Sequence, residues 1–547
     1  MAGAIGKPMM TTTIYVARKI VTLNRAIPHA THIAVRDGRI LGLGGAEIAA
    51  AFRGRIDPRF AADVLIPGFV EGHGHAAAGM VWRDPYVGWF PRTAPDGSVQ
   101  GGLRSIAEVV ARLKALDATL PPEGPLVAWG FDPIYFDGRR MTLADLDSVS
   151  TTRPVLVAHI SGHIHNVNSV IMARAGYTRE SNLDGLLRDA AGNLTGELQG
   201  PAVMGRAVRV TGHGGLLRAL DAPALRDFGA MARRVGVTTS TDLVNLLDEV
   251  NVATLREATA QADFPIRLVP AMRARDYGIA DGVARIKALR GLSTDMLHFN
   301  MVKLVADGSI QGFTARLRWP GYHNGAPNGL WYIAPAEFEA IVAAYHAAGA
   351  QLHIHTNGDE ASELATEMVS RAVAAHPRPD HRHTLQHCQM ADEAIFRRMQ
   401  TAGMCVNLFA NHIYYWGDQH AGITMGPSRA ARLDACATAL ACGVPLAIHS
   451  DTPVTPLDPL FTMWCAVNRR TASGAVLGEG EAITPAQALH AVTLGAAYTI
   501  KLDHLIGSLD VGKFADCAAL SDDPLDVAPM AIREIAVRGT LLGGRVT

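Results

Sequence analysis

Two histidines, His73 and His75, stand one residue apart in PGFVEGHGHAAAG, just after a Pro-Gly turn. Residues i and i+2 of a strand share a face, so both imidazoles point the same way. Farther along, polar residues interrupt apolar runs: Lys303 in NMVKLVAD, His355 in AQLHIHTN, His387 in HTLQHCQM and Asp451 in VPLAIHSD. Neutral imidazoles with a carboxylate form the donor set of a borderline divalent cation, zinc first, with Mn2+ or Fe2+ as alternatives and one or two ions bound. Lysine is the odd member, because burial among cations disfavours an ammonium. Addition of CO2 would make Lys303 a carbamate, an anion whose two oxygens can bridge two metals. A neutral lysine ligand and an ion pair with Asp307 are the other readings. A metal-held water loses a proton near neutral pH, and the same metal polarises a carbonyl. Asp451 is the expected general base, passing that proton to a leaving amine. Lys303 and His387 complete the expected catalytic group. His159, His353, His383 and His449 read as core or supporting residues.

These residues need a scaffold that brings distant segments together. Eight candidate buried strands carry or separate them: LIPGFVEGHGH, then 236–244, 266–272, 300–307, 350–357, 383–390, 404–411 and 444–451. Helical patterns such as PAEFEAIVAAYHAAG and DEAIFRRMQTAG lie between most of them, the second ending at Gly403, a C-cap candidate. Thirty-two residues, one βα unit, separate His355 from His387, and 64, close to two units, separate His387 from Asp451. The expectation is a (β/α)8 TIM barrel with its chemistry at the C-terminal strand ends. An open doubly wound sheet is the runner-up, weakened because no Gly-rich dinucleotide fingerprint follows the first strand. Residues 1–65 and 510–547 are strand-rich, with an Asp37-Gly38 hairpin signal, and are expected to form one composite β-sandwich domain. Residues 66–509 are assigned to the barrel, and 80–230 within them to an inserted α/β subdomain after the first strand, covering the site.

The 547-residue chain is 48% hydrophobic and 18% charged, with net charge −1. Such a balance disfavours nucleic acid or an anionic membrane as the main partner and leaves a small molecule. The six cysteines form no Cys-x-x-Cys pair and read as reduced core residues. With no signal-peptide core and no membrane-length apolar run, a cytoplasmic homo-oligomer, a dimer, is the expectation.

Taken together, PGFVEGHGH, VKLVADGSIQGFTA, HIHTNGDEA, LQHCQMA and HSDTPVTPLDPL resemble the amidohydrolase superfamily, and the branch they most resemble includes N-substituted formamide deformylases. GKFADCAALSDDP is similar to the usual return into the β domain, so the resemblance covers nearly the whole chain. It implies a (β/α)8 barrel with a composite β domain, and His73, His75, Lys303, His355, His387 and Asp451 around one or two metals, the lysine carboxylated and bridging in binuclear members. Two positions depart from the family's habit: Glu71 stands where Asp is common, and Gln386 where Glu often precedes the histidine. The first would alter support around the His pair; the second removes a nearby charge.

The expected reaction is metal-dependent hydrolysis of an amide-type C–N bond in a small, apolar or aromatic substrate. Ester hydrolysis, deamination or a lyase step on the same site are alternatives, and a binding protein with a vestigial site is disfavoured by the complete ligand set. His163 and His165 are candidates to reach the site from the insert, with Asn168 shaping their loop. Asp359 would orient His355 or cap the next helix. Tyr414, Tyr415 and Trp416, and also Trp82, Trp89 and Phe90, are candidates for an aromatic substrate wall, packing beneath a loop being the competing account. Arg469 and Arg470 read as surface or helix residues.

Overall fold

The computed structural model describes residues 12–121, 123–136, 138–213 and 220–547. Residues 1–11 of the expected β unit and 214–219 of the expected insert lie outside them.

All eight expected barrel strands form. In chain order they are β1 (Phe69–Glu71), β2 (Val237–Asn245), β3 (Arg267–Arg273), β4 (Met301–Val305), β5 (Gln351–Thr356), β6 (Thr384–His387), β7 (Cys405–Leu408) and β8 (Leu446–Ile448), each paired in parallel with the next. Every residue of β5, β6 and β7 is buried. Burial on both faces means that the polar members of QLHIHT, TLQH and CVNL face a closed interior rather than solvent. Helices Pro335–Ala347, Asp359–Ala375 and Glu393–Thr401 follow β4, β5 and β6. Asp392 caps the last of these by accepting from Ile395 N, and Gly403 takes the left-handed conformation just after it. Phe338, Val369, Phe396 and Trp464 fill the space between strands and helices.

The ends of the eight-stranded sheet, β1 and β8, are joined by side-chain and loop contacts rather than by a ladder. The Glu71 carboxylate accepts from Ser450 N at 3.2 Å and Ser450 Oγ at 2.7 Å, and His75 N donates to Thr452 O at 3.0 Å. Burial pushes the Glu71 carboxyl up to about 8, against these hydrogen bonds.

Strands from both ends of the chain meet in one seven-stranded mixed sheet, with 55–67 in the middle between 13–21 and 517–520. It packs around a core of Tyr15, Ile33, Leu65, Cys517 and Leu541. Its opposite face packs Val64, Ile66, Ala518 and Leu520 against the barrel. The Asp37-Gly38 hairpin forms, both residues having positive φ, at 55° and 77°. A separate five-stranded sheet in the order 186–188, 194–199, 164–167, 155–159, 126–131 stands between β1 and β2 in sequence. Five of the six cysteines are buried and all six are free. Among the described residues no helix is long and apolar enough to cross a membrane.

Candidate metal centre

The His pair occupies the turn that leaves β1, and that turn is pinned on every side. Gly74 N donates to Thr241 Oγ1 at 3.0 Å, Ala76 N to Asp242 Oδ1 at 3.1 Å, and His73 N to Glu71 Oε1 at 3.2 Å. Lys303 lies within β4, His355 within β5 and His387 at the end of β6, while Asp451 follows β8. His387 and Asp451 hold positive φ, 64° and 53°, as does Cys388. Non-glycine residues adopt that conformation only where their surroundings over-determine it, a pattern concentrated at functional sites.

The six side chains converge. His75 Nε2 is 3.0 Å and His73 Nε2 3.4 Å from Asp451 Oδ1, and His387 Nδ1 is 3.9 Å from Asp451 Oδ2. Lys303 Nζ is 3.3 Å from His73 Nε2. The rings of His355 and His387 are 4.5 Å apart, as are those of His73 and His387. All six residues are at least nine-tenths buried.

Burial sets their charge. It holds His73, His355 and His387 well below the ordinary histidine value, helped by Lys303 and neighbouring rings, so all three are neutral. It lowers the Lys303 amine to about 7, with Asp451 opposing. Burial also opposes charge on Asp451, but the His75 hydrogen bond, with His449 and Lys303, outweighs it and keeps the carboxyl below its ordinary value. Asp307 is not the partner of Lys303: its carboxylate accepts from the backbone N–H of Asn357, Gly358 and Arg316. The ion-pair reading of Lys303 is thereby corrected.

Gln386 has a larger part than the loss of a charge. Its Oε1 lies 2.7 Å from His73 Nδ1 and also accepts from Asn407 Nδ2 at 3.0 Å. An amide oxygen only accepts, so His73 carries its proton on Nδ1 and turns the Nε2 lone pair toward the centre. Gln386 Nε2 lies 2.7 Å from His353 Nδ1 and extends the network.

Do these residues suit a cation? Nδ1 of His75 and Nδ1 of His387 are buried with no hydrogen-bond partner. Leaving such groups unpaired costs about 1–3 kcal/mol each. Imidazole nitrogens and a carboxylate whose ligand atoms lie within 4.8 Å of one another, in the sets His73–His75–Asp451 and His73–His387–His449, match the donors a divalent metal takes. Of the two roles expected for His449, core or support of the site, the second fits: neither of its buried nitrogens has a partner and its ring stacks on His73 at 4.6 Å. Its signal in the sequence is the same one that flags the His pair: it stands two residues from Asp451.

A cavity of about 610 Å3 opens onto the centre. His163 and His165 reach it from the five-stranded sheet, and the His163 ring is 5.0 Å from that of His355. Asn168 caps the helix after that hairpin and also accepts from Val155 N. The expected aromatic wall takes a different form. Trp416 is buried, with its Nε1 donating to Asp132 Oδ2 at 2.9 Å; Tyr414 packs on Tyr415, Phe461 and Trp464; Trp82 packs edge-on to Trp129. None of Trp82, Tyr414 and Trp416 lines the cavity, which is walled instead by Trp129, Tyr332, Val81, Met204 and Val208. Asp359 does not orient His355; it opens the following helix, where its Oδ1 accepts from Glu360 N at 3.1 Å, and it also accepts from Arg318 N and pairs with that guanidinium. Arg469 is no surface residue: it is fully buried and donates to the carbonyls of Leu477, Asp434 and Leu433.

A parallel barrel with histidines, a lysine and an aspartate gathered at its C-terminal strand ends defines a metal-dependent hydrolase. The amidohydrolase family pattern matches residues 63–547, and the chain belongs to that family. It is 27% identical over 497 residues to the putative amidohydrolase YtcJ of Bacillus subtilis (88% of each chain). It is 24% identical over 512 residues to the N-substituted formamide deformylase of Arthrobacter pascens (88% of this chain, 87% of that one). The fold is shared with an uncharacterized metal-dependent hydrolase from Pyrococcus horikoshii, with TM-score 0.71 and 19% identity over 95% of this chain and 99% of that one.

Proposed function

We propose that this chain hydrolyses an amide-type C–N bond, of the kind found in N-substituted formamides, in a small apolar or aromatic substrate. The observation that carries the reading is the convergence of His73, His75 and His387 on the two oxygens of Asp451, with buried ring nitrogens left over for a cation. His73, His75, Lys303, His355, His387 and Asp451 would hold one or two divalent ions, zinc first. Such an ion supplies Lewis acidity to a carbonyl and acidifies water.

The protein's own groups do the rest. His75 anchors Asp451 Oδ1, which leaves Oδ2 to take a proton from the attacking water and return it to the departing nitrogen. An amine leaves poorly unless protonated, so this relay is what C–N cleavage requires. A Lys303 amine with its pKa near 7 is partly free base at neutral pH, the form that adds CO2 to give a carbamate and a proton. His163 beside His355 orients the carbonyl. Val81, Trp129, Met204 and Val208 exclude water and receive the apolar part of the substrate. The sequence similarity to the formamide deformylase supports the choice of bond.

Metal analysis of purified protein, with turnover measured on matched formamides, amides and esters, tests the reading. Bound metal with the fastest turnover on a formamide or amide is expected. Turnover of esters alone overturns the amidase choice. Protein without metal that gains no activity from zinc, manganese or iron overturns the enzyme itself.

A further inference from the structure

The cavity runs from the buried centre to two exposed guanidinium groups. Arg209 lies in the last turn of helix Pro201–Thr211, whose Pro201, Met204 and Val208 form one cavity wall. Arg275 lies in the short turn Ala274–Asp276, just beyond β3, and lines the same cavity. In the barrel register Arg273 sits beside Lys303, so Arg275 stands farther out along the strand direction than the centre itself. Arg273 is ion-paired with Asp276. Among the described residues, neither the Arg209 nor the Arg275 guanidinium forms a hydrogen bond or a close ion pair; the Asp276 carboxylate acts on Arg275 only through space, being held by Arg273. A third group points the same way. His165, nine-tenths buried, also lines the cavity and has an Nδ1 with no hydrogen-bond partner.

We infer that the cavity takes a substrate with an anionic group, a carboxylate above all, at the end remote from the scissile bond, received by Arg209 and Arg275, with His165 meeting a polar atom between. The inference deepens the proposed C–N hydrolysis and rests on that site. Guanidinium is suited to this task because its N–H groups match a carboxylate in planar, charge-assisted pairs. An apolar middle stretch with cations at the mouth also concentrates anions before they dock.

Two arms test it on the metal-loaded protein. The first compares turnover of N-formyl-4-(aminomethyl)benzoate and its uncharged partner N-formyl-4-methylbenzylamine. The carboxylate should have a KM about tenfold lower, and the Arg209→Gln/Arg275→Gln double variant should bring the ratio close to one. The Arg209→Lys/Arg275→Lys variant, which keeps the charge, should keep part of it. The second arm needs no turnover: calorimetric binding of 3-phenylpropanesulfonate, a poor metal ligand, against 3-phenylpropanol. The wild type should prefer the sulfonate, and the glutamine variant should not. If neither formamide is cleaved but the sulfonate preference holds, the C–N reading fails and the anion site stands. Equal KM values and equal binding in wild type and variant overturn the anion site, leaving Arg209 and Arg275 as solvated arginines.

Discussion

The two ends of the barrel use histidine in opposite ways. At the N-terminal end, His346, His381 and His383 are buried and all six of their ring nitrogens are engaged. Leu352 N donates to His383 Nδ1, so His383 Nε2–H donates to His346 Nδ1, and His346 Nε2–H donates to His376 O. His383 N donates to His381 Nδ1, whose Nε2–H reaches Ala402 O. Each ring is neutral with one fixed tautomer. At the C-terminal end, His75 and His387 each leave a buried nitrogen unpaired, and His449 leaves two. Counting histidines would not separate these clusters; counting their open nitrogens does. A satisfied imidazole is part of the frame, whereas an unsatisfied one is waiting for something.

The contrast can be broken or sharpened at several points. The largest effect belongs to Asp451→Asn, which keeps the shape and removes the proton carrier: kcat should fall about 10³-fold, within the span of general acid–base catalysis, with metal still bound. Near-normal turnover would remove Asp451 from the relay. Next comes Gln386→Leu, which frees the His73 ring to choose its tautomer. Metal affinity, read by chelator competition, should drop about 10- to 100-fold. An unchanged affinity would mean that His73 is held without it. At the other end, His383→Ala strips partners from Leu352 N and His346 Nδ1. It should lower unfolding stability by about 2–4 kcal/mol in denaturant titration while metal content is preserved. Loss of metal there would erase the distinction between the two ends.

The smallest effect is in acid. Burial depresses the folded-state values of His346, His381 and His383 below 6.5. The unfolded chain therefore binds more protons, and stability is lost as the pH falls below about 6.5, by about 1.4 kcal/mol per pH unit for each proton taken up only on unfolding. The His383→Gln variant should show a shallower slope, and an equal slope would take His383 out of the account. Separately, a carbamate resonance in 13C-bicarbonate buffer that vanishes in Lys303→Ala would identify the carboxylated lysine; its absence from the wild type would leave a neutral amine.

Much of the site was legible because its signals are local. The His pair shows in its i, i+2 spacing, and the later candidate ligands recur at separations of one and two βα units. What the sequence concealed depends on distant partners. Trp416 reads as a binding residue until Asp132, 284 residues away, is found accepting from its indole. Arg469 reads as a surface or helix residue, and it does end a helix, but the three carbonyls that bury its guanidinium come from two other segments. Gln386 looks like a lost charge until its oxygen is seen fixing His73 from 313 residues away. Open nitrogens leave no trace in a one-dimensional pattern, since they are defined by what fails to arrive.

The seam at Glu71 ties the beginning of the barrel to its end. His75 and Asp451 meet across 376 residues, and Glu71 and Ser450 across 379. During synthesis the paired imidazoles emerge hundreds of residues ahead of the carboxylate they face. A chain cut short anywhere before its eighth strand lacks Asp451 and the strand that meets β1, so an unfinished product is inert rather than indiscriminately hydrolytic.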